Sequence, residues 1–350
     1  MQEGQKKTWW GEDPKNLIVR MPNWLGDLVM ATPVLQDLKQ RFPNATITAM
    51  CSEGLAGLLE NDPHVDQILR FTKPKGWFQH LHHSQVLNVL HAGDYDCGVL
   101  LTNSLSSAWW MWRGGVARRL GFIGHWRRYL LNNALTLPSN YQTQHLVATY
   151  KMLLEPLGVA LSDSMPTIYV KDAELEAARA TLRNNGVAAD DIVIGINPGA
   201  AYGSAKCWLP DRFRDLTLAL LEQPNYRILY FGDRAGAPLV NDICAAMPER
   251  VINMAGKTNI RELAALIKCC RVLLTNDSGP MHMSAALGVP PLALFGSTSD
   301  VRTGPYKLGR VIHKHVECSP CYKRVCPIDF RCMKRIEVDE VLRNLREMIG

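Results

Sequence analysis

A short apolar run that ends in a small polar turn constrains this fold more than any other feature of the chain. Residues 270–275 (Cys-Arg-Val-Leu-Leu-Thr) have the length and apolar character of a strand buried in a parallel sheet. The turn Asn-Asp-Ser-Gly-Pro-Met-His follows at positions 276–282, and helix-compatible residues then continue to Gly288. A strand, a turn and a helix in this order aim backbone N–H groups and the positive end of a helix dipole at one point, where a phosphate binds well. Ordinary helix capping by Asn276 and Asp277 is the alternative interpretation.

Similar strand-like runs alternate with helical patterns in two series along the chain. The first series has strands at 16–21, 45–50 and 97–101, and the second at 192–197, 226–231, 251–254, 272–275 and 291–295. This alternation predicts the α/β class with doubly wound parallel sheets. The 350 residues are enough for two such domains, and a polar stretch near residue 165 separates the two series. We therefore predict Rossmann-like domains at 1–165 and 166–350, the second closed by a C-terminal helix.

Composition excludes several classes of protein. The chain has 47% hydrophobic and 21% charged residues, which is typical of a globular protein. No apolar run approaches the roughly 20 residues that cross a bilayer, and residues 1–10 lack the apolar segment of a secretory signal, so we expect a cytoplasmic location. No nucleic-acid-binding signature is present, and we expect no nucleic-acid partner. No G-x-G-x-x-G follows a strand, which disfavours a nicotinamide or flavin dehydrogenase.

The net charge of +6 is unevenly distributed. Residues 113–128 contain no acidic residue and five arginines: Arg113, Arg118, Arg119, Arg127 and Arg128. Four tryptophans lie in or near this stretch: Trp109, Trp110, Trp112 and Trp126. Cations with amphipathic indole rings suit an anionic partner such as a phosphorylated substrate or a lipid surface. A solvated basic face above core tryptophans is the alternative.

Four of the ten cysteines are clustered, with the spacing C-x2-C-x4-C-x5-C. They are Cys318, Cys321, Cys326 and Cys332, and we call residues 318–332 the cysteine-rich segment. Because we expect the chain to be cytoplasmic, we do not expect its cysteines to form a disulfide framework. The density suggests a metal knuckle, although the paired C-x-x-C units of a zinc ribbon are absent. Metal ligands and reduced structural thiols remain the two alternatives.

Two further polar loops follow strands, and each carries a residue with a chemical role to offer. Residues 22–27 end with Asp27 at the start of a helix, where a carboxylate either favours the helix dipole or acts as a general base. Residues 197–208 contain Gly199, which permits close backbone approach, and Lys206, which supplies a cation for a phosphate. The spacing of this second loop is not that of a P-loop.

Taken in order, these motifs resemble glycosyltransferase family 9, the lipopolysaccharide core heptosyltransferases. The resemblance rests on Gly26-Asp27 after the first strand, a Pro-Gly turn followed by Lys206 and Trp208, and the 276–282 motif. It extends from about residue 16 to the C-terminus. It implies a GT-B fold, in which two Rossmann-like domains face a cleft, with the acceptor on the N-terminal domain and the nucleotide-sugar donor on the C-terminal domain.

The resemblance also implies an activity and its residues. The family transfers heptose from ADP-L-glycero-β-D-manno-heptose to the inner core with inversion. The resemblance implies that Asp27 is the general base and that Lys206 is a catalytic residue that contacts the donor phosphate. The implied donor site comprises Gly199, Asp277, Ser278, Gly279 and His282. A helix terminus and a lysine can stabilise the leaving ADP without a metal ion, so we expect neither a metal nor a cofactor.

The expected partners follow from the same activity. They are ADP-heptose, a lipid-anchored core oligosaccharide bound by the five arginines, and the cytoplasmic face of the inner membrane, which a monomer would bind peripherally. Three alternatives remain open: another GT-B glycosyltransferase with a different sugar or acceptor, a GT-B nucleotide-sugar isomerase, and a non-catalytic nucleotide-binding module. An isomerase needs no basic acceptor surface.

Overall fold

The computed structural model describes residues 11–72, 83–124 and 126–350. The chain separates into two compact units, Met1–Thr167 and Ile168–Gly350, close to the boundary predicted at residue 165. The first ten residues, where we expected no signal sequence, lie outside the described residues. Within the described ranges, no helix combines the length and the apolar character that crossing a membrane requires.

Unit 1 is built on one six-stranded parallel sheet. Its strands are β1 (Asn16–Arg20), β2 (Thr46–Ser52), β3 (Gln67–Phe71), β4 (Cys97–Leu100), β5 (Arg118–Phe122) and β6 (Asn133–Leu135). Their spatial order is β3-β2-β1-β4-β5-β6. The chain therefore starts at the centre of the sheet, adds strands on one side as far as β3, and then adds β4 to β6 on the other side of β1, so the strand order reverses between β1 and β4. In such sheets a ligand binds beyond the carboxyl ends of the strands, at the reversal.

The helices of unit 1 connect these strands. They are α1 (Leu25–Arg41), α2 (Glu53–Ala56), α3 (Ser84–Ala92), α4 (Leu105–Arg113) and α5 (Leu146–Met152). α1 begins directly after β1 and α4 directly after β4, so both start at the carboxyl edge of the sheet. The hydroxyl of Ser104 caps α4 by accepting a hydrogen bond from the N–H of Ser107 at 3.3 Å.

Unit 2 repeats this strand order. Its strands are β7 (Ile192–Asn197), β8 (Tyr226–Tyr230), β9 (Val251–Asn253), β10 (Val272–Asn276), β11 (Pro291–Phe295) and β12 (Arg310–His313). They form a parallel sheet in the order β12-β11-β10-β7-β8-β9, which reverses between β7 and β10. Loops that follow these two strands therefore border the expected ligand crevice of unit 2.

The helices of unit 2 cover both faces of its sheet. They are α6 (Asp172–Asn184), α7 (Pro210–Leu220), α8 (Ala237–Cys244), α9 (Ile260–Lys268), α10 (Gly279–Ala286), α11 (Asp300–Thr303), α12 (Arg331–Lys334) and α13 (Val338–Ile349). Ile194 and Ile196 of β7 pack in one core with Phe213 of α7 and Leu345 of α13. In β10, Leu273 is also fully buried, although its side chain points to the opposite face from those of its neighbours Val272 and Leu274. Burial on both faces explains why the strands appear as continuous apolar runs, and it confirms the predicted doubly wound class.

Candidate active site

One buried amide organises the donor-side crevice of unit 2. Asn276, the last residue of β10, has no exposed surface. Its Nδ2 donates to the carbonyl of Pro198 at 2.6 Å, and its Oδ1 accepts from the backbone N–H of Trp208 at 3.0 Å. The side chain thus holds both ends of the loop between Pro198 and Trp208, which we call the lysine loop because it carries Lys206. Asn276 is therefore a structural brace as well as part of the turn after β10.

Lys206 forms a buried ion pair with Asp277. Their side chains are 13% and 5% exposed, and the hydroxyl of Thr298 donates to the same carboxylate oxygen at 2.5 Å. The lysine Nζ also lies 4.9 Å from the centre of the Tyr202 ring. The ion pair, with this additional hydrogen bond to the carboxylate, holds the ammonium group in one position. An ammonium group has three N–H donors, and the pair with Asp277 uses one of them.

The hydroxyl group of Ser278 is committed within the protein. Thr275 Oγ1 donates its hydrogen to the carbonyl of Asn276 at 2.9 Å, so in its 2.8 Å contact with Ser278 it accepts. Ser278 then donates its own hydrogen to Thr275 and accepts from Asn197 Nδ2 at 3.2 Å. The hydroxyl that we expected to contact a phosphate has its hydrogen engaged in this cluster.

The remaining predicted donor-site residues lie at the start of α10 or across the crevice from it. α10 begins at Gly279, directly after the turn, and Pro280 occupies its first turn. His282 lies one turn into the helix and is buried. A Cβ atom on Gly199 would meet no atom within 4 Å, so the backbone there is open to a ligand. This arrangement directs the dipole of α10 at the crevice between β7 and β10.

The loop after β11 contributes two residues that our sequence reasoning did not assign to the site. Thr298 bonds to Asp277, as described above. The side chain of Ser297 is buried, and within the described chain its Oγ has no hydrogen-bond partner. A buried hydroxyl without a partner carries a free-energy penalty unless a ligand or water satisfies it. The Gly-Ser-Thr-Ser sequence that follows a strand was the available signal.

The cysteine-rich segment packs against the lysine loop. The backbone N–H of Ala205 donates to the carbonyl of Arg324 at 3.0 Å, and that of Tyr322 donates to the carbonyl of Ser297 at 2.7 Å. Gly203 is in close contact with the same segment, because a Cβ there would lie 2.3 Å from the carbonyl oxygen of Arg324. The segment therefore determines the shape of the loop that carries Lys206.

The four cysteines of this segment are free thiols. Burial is the main reason that the pKa of Cys332 is raised, and the nearby thiols of the other three raise it further. Among the described residues, the one set of three possible metal ligands within 4.8 Å of one another lies elsewhere and contains no cysteine. The structure therefore does not gather the four sulfur atoms as a preformed metal site.

Asp27 lies at the corresponding edge of unit 1. It is in the first turn of α1, directly after the β1 loop, and its side chain is partly exposed. The helix dipole favours the ionised carboxylate at this position. Trp24, which precedes α1, is 54% exposed. Asp27 therefore lies beside the reversal between β1 and β4, where the Rossmann-like topology places a ligand.

Arg20 braces the loop that leads to Asp27. It is the last residue of β1, and its buried guanidinium donates to the carbonyl of Met21 and, at 2.7 Å, to Asn23 Oδ1. The same group lies 4.4 Å from the centre of the Phe71 ring. Burial lowers the pKa of Arg20 to about 10, so the side chain remains a cation at neutral pH. An arginine that ends an apolar strand was the signal for this role, which we did not assign.

Arg127 is a second buried brace, and this corrects our prediction that it binds the acceptor. It has no exposed surface, and its Nη1 donates to the carbonyl of Thr102, just beyond β4. Its Nη2 fills the space beside Gly121, where a Cβ would lie 2.3 Å away. Burial lowers the pKa of Arg127 to about 10. An acceptor cannot reach this guanidinium without displacing the core around it.

The other four arginines do not form the single patch expected from the sequence. Arg118 and Arg119 begin β5 and Arg113 ends α4, so all three lie at the amino edge of the sheet, opposite to Asp27. Arg118 Nε donates to the carbonyl of Asp96 at 3.0 Å, and Arg119 Nε donates to that of Leu130 at 2.7 Å. The contacts of Arg118 and Arg119 stabilise the fold. The position of all three arginines at the amino edge separates them from Asp27.

Arg128 lies in the segment that connects β5 to β6. It is exposed in the short helical turn after β5, between two aromatic residues that are also exposed: Trp126 at 86% and Tyr129 at 85%. Of the other tryptophans, Trp110 is buried in the core against Phe71, with ring centres 5.3 Å apart. The exposed basic and aromatic surface of this segment is thus smaller than the sequence indicated.

Comparisons with known proteins agree with this fold. The sequence model of glycosyltransferase family 9 (heptosyltransferase) matches residues 84–330. The lipooligosaccharide heptosyltransferase 2 of Haemophilus influenzae is 31% identical over 298 residues, which cover 83% of this chain and 86% of that protein. The structure of Escherichia coli ADP-heptose lps heptosyltransferase II superposes with a TM-score of 0.81 at 25% identity, covering 95% of this chain and 98% of that one. A family 9 glycosyltransferase from Veillonella parvula gives a TM-score of 0.84 at 25% identity, with coverages of 96% and 97%. The protein has the GT-B fold, and it belongs to glycosyltransferase family 9, the heptosyltransferases.

Proposed function

We propose that this glycosyltransferase moves L-glycero-D-manno-heptose from ADP-heptose to the inner core of lipopolysaccharide, with inversion, as a heptosyltransferase II does. The observation that carries this proposal is the Lys206–Asp277 ion pair at the strand reversal of unit 2, beside the N-terminus of α10. Its support also includes the 31% identity to a lipooligosaccharide heptosyltransferase 2 over most of both chains.

The donor diphosphate would bind at the crevice between β7 and β10. Lys206 supplies a positive charge that Asp277 and Thr298 hold in place, so Asp277 acts as a positioning residue. The first turn of α10 adds backbone N–H groups and its dipole, and the unpaired hydroxyl of Ser297 is a further donor. As the sugar–phosphate bond breaks, negative charge grows on ADP, and these fixed groups stabilise it without needing a metal ion.

Asp27 would act as the general base. In the proposed single displacement, its carboxylate accepts the proton of the acceptor hydroxyl group, and that oxygen attacks the anomeric carbon of heptose. The bond from this carbon to the β-phosphate oxygen breaks, ADP leaves with the electron pair, and the configuration inverts. The partial exposure of Asp27 and its place in the first turn of α1 suit this role, because the carboxylate is accessible and the helix dipole favours negative charge there.

The acceptor would contact the exposed side chains of Arg128, Trp126, Tyr129 and Trp24. One cation among exposed aromatic rings suits a phosphorylated sugar attached to a lipid, since indole and phenol rings favour the bilayer interface. We propose peripheral binding at the cytoplasmic face of the inner membrane, with the enzyme acting as a monomer. Arg113, Arg118 and Arg119 are left out of this set because they lie at the amino edge of the sheet, opposite to Asp27.

A coupled assay tests the proposal. The purified enzyme is mixed with ADP-heptose and with core oligosaccharides that either have or lack the first heptose residue, and ADP release is measured. We expect ADP release only with an acceptor that already carries one heptose. Conversion of the nucleotide sugar without any acceptor would indicate an isomerase. Turnover with a different sugar nucleotide but not with ADP-heptose would indicate another glycosyltransferase, and either result would refute the proposed activity.

A further inference from the structure

Three side chains beyond the proposed donor site converge at the ends of β11 and β12. Asp300 begins α11, His313 is the last residue of β12, and His315 lies two residues further on. Of all the histidine, cysteine and acidic residues in the part of the chain that the structure describes, these are the one set of three whose ligand atoms lie within 4.8 Å of one another. The sequence analysis did not select any of the three.

Their separations fit a single shared cation. His313 Nδ1 lies 3.0 Å from Asp300 Oδ1, and His315 Nε2 lies 3.6 Å from Asp300 Oδ2. Two ligand atoms that are each about 2.1 Å from a metal ion, at angles of about 90–110°, are roughly 3.0–3.4 Å apart. The side chain of His313 is only 2% exposed, whereas that of His315 is 65% exposed. The group is therefore anchored on one side and open to solvent on the other.

Hydrogen bonds fix the tautomer of His313. The hydroxyl of Ser319 donates its only hydrogen to the carbonyl of Gly296. Because Ser319 also lies 2.7 Å from His313 Nε2, it must accept a hydrogen from that nitrogen. A neutral His313 therefore carries its proton on Nε2 and turns a lone pair on Nδ1 towards the Asp300 carboxylate. Nδ1 is thus the ring nitrogen that faces Asp300, 3.0 Å from its Oδ1.

The two imidazole rings approach the same carboxylate, as ligands of one ion do. The centres of the His313 and His315 rings are 4.0 Å apart with their planes tilted by 39°, and each ring brings one nitrogen to Asp300. Metal-binding histidines commonly donate their other ring N–H to a fixed acceptor, which orients the ring. The chain from His313 through Ser319 to Gly296 supplies such an acceptor.

We propose that Asp300, His313 and His315 bind a divalent first-row transition metal through the carboxylate, Nδ1 and Nε2, respectively. Two imidazoles and one carboxylate suit Zn²⁺, Co²⁺ or Fe²⁺ better than Mg²⁺ or Ca²⁺, which prefer ligands made only of oxygen. The metal would tie the start of α11 to the end of β12. The loop that it secures contains Ser297 and Thr298, so the ion is a structural support for the donor side and takes no part in bond breaking.

Cobalt titration of the full-length, metal-free protein tests the site. Co²⁺ bound by nitrogen and oxygen gives weak visible absorption, whereas thiolate ligands add intense near-ultraviolet charge-transfer bands, so the spectrum separates this site from the cysteine-rich segment. We expect one Co²⁺ per chain, without thiolate bands. His315→Ala should weaken binding by at least roughly tenfold, because it removes a ligand from an exposed position where folding is not at risk.

His64→Ala is the matched control. His64 also pairs with an aspartate, with its Nδ1 2.8 Å from Asp62 Oδ1, but that pair is not part of any set of three ligands in the described chain. Cobalt affinity should therefore be unchanged. Intense thiolate bands that persist in His315→Ala and vanish in Cys321→Ser would assign the metal to the cysteines and overturn the proposal. Failure to bind Co²⁺ would overturn it as well. None of these readouts depends on sugar transfer.

Discussion

The two sheets have the same strand order, but the buried cations at their carboxyl edges are compensated in opposite ways. In unit 2 the cation at the crevice, Lys206, is paired with the buried carboxylate of Asp277. In unit 1 the buried cations Arg20 and Arg127 donate to backbone carbonyls and one amide, and neither pairs with a carboxylate of the described chain. One edge holds a compensated charge, and the other holds two charges without a counter-ion.

This difference suits the two substrates that we propose. A buried ion pair keeps Lys206 in position without a ligand, which gives the small diphosphate group a fixed contact. The uncompensated guanidinium groups of unit 1 lie in a low-dielectric interior, where a charge is poorly screened and its field extends to the surface. A large, multiply phosphorylated acceptor would respond to such a field even though it touches neither Arg20 nor Arg127.

Asp27→Asn is the most severe test of this comparison. The substitution removes the base and preserves the size of the side chain, so turnover should fall by about 10²–10⁴-fold while ADP affinity, a property of unit 2, stays the same. Steady-state kinetics and calorimetry with ADP measure the two quantities. Asp339→Asn is the matched control, because Asp339 is exposed in the first turn of α13. If both variants retained full activity, Asp27 would serve only to favour its helix dipole.

Lys206→Ala should produce the next largest effect and should act on the donor. In the proposed mechanism the lysine contacts the diphosphate in both the ground state and the transition state, so ADP should bind more weakly and kcat/KM should fall by about 10²-fold. Lys257→Ala, which alters an exposed lysine of unit 2 that bonds to the carbonyl of Asn253, controls for loss of charge. Unchanged ADP affinity in Lys206→Ala, measured by calorimetry, would contradict the assignment. Thermal unfolding of the variant would show whether Asp277, left without its partner, destabilises unit 2.

The sequence predicted the central strands and the order of the site loops well, for a physical reason. Strands such as β7 and β11 are buried on both faces, and their apolar runs have the bounds that we expected. β3, β5, β6 and β12 were not predicted, since they lie away from the centre of their sheet and carry polar or charged residues. β5 begins with Arg118 and Arg119, which we interpreted as part of a surface patch.

The errors at the candidate site share one cause. Linear spacing indicates which residues are close in sequence, but Arg127 is fully buried while its neighbour Arg128 is exposed, so adjacent arginines do not share one surface. Long-range partners were equally inaccessible to sequence reasoning: Asp277 pairs with Lys206 across 71 positions, and Arg127 reaches the carbonyl of Thr102 across 25. The Ser278 hydroxyl was expected to face a ligand, and only the geometry of Thr275 and Asn197 shows that its hydrogen is engaged.

Gly203→Ala should sharpen the contrast by disturbing unit 2 alone. An added Cβ would lie 2.3 Å from the carbonyl of Arg324, so the lysine loop and the cysteine-rich segment must move apart. We expect destabilisation by about 1–3 kcal/mol and weaker ADP binding by about tenfold. Gly186→Ala is the control, because Gly186 also has a positive φ but open space around its Cβ position. Equal losses of ADP affinity in the two variants would attribute the effect to backbone conformation rather than to the contact with Arg324.

The smallest expected effect distinguishes two exposed arginines of unit 1. Arg128→Glu reverses an exposed charge between Trp126 and Tyr129, and it should raise the acceptor KM by roughly threefold at low salt while ADP affinity is unchanged. The difference should shrink as ionic strength rises, since exposed charges are screened. Arg113→Glu makes the same reversal at the end of α4, at the amino edge of the sheet, and there we expect the acceptor KM to stay within error. Acceptor kinetics of both variants at low and high salt measure the contrast. An equal rise in KM for the two would restore the single basic patch that the sequence indicated, and it would contradict the choice of Arg128 as the acceptor contact.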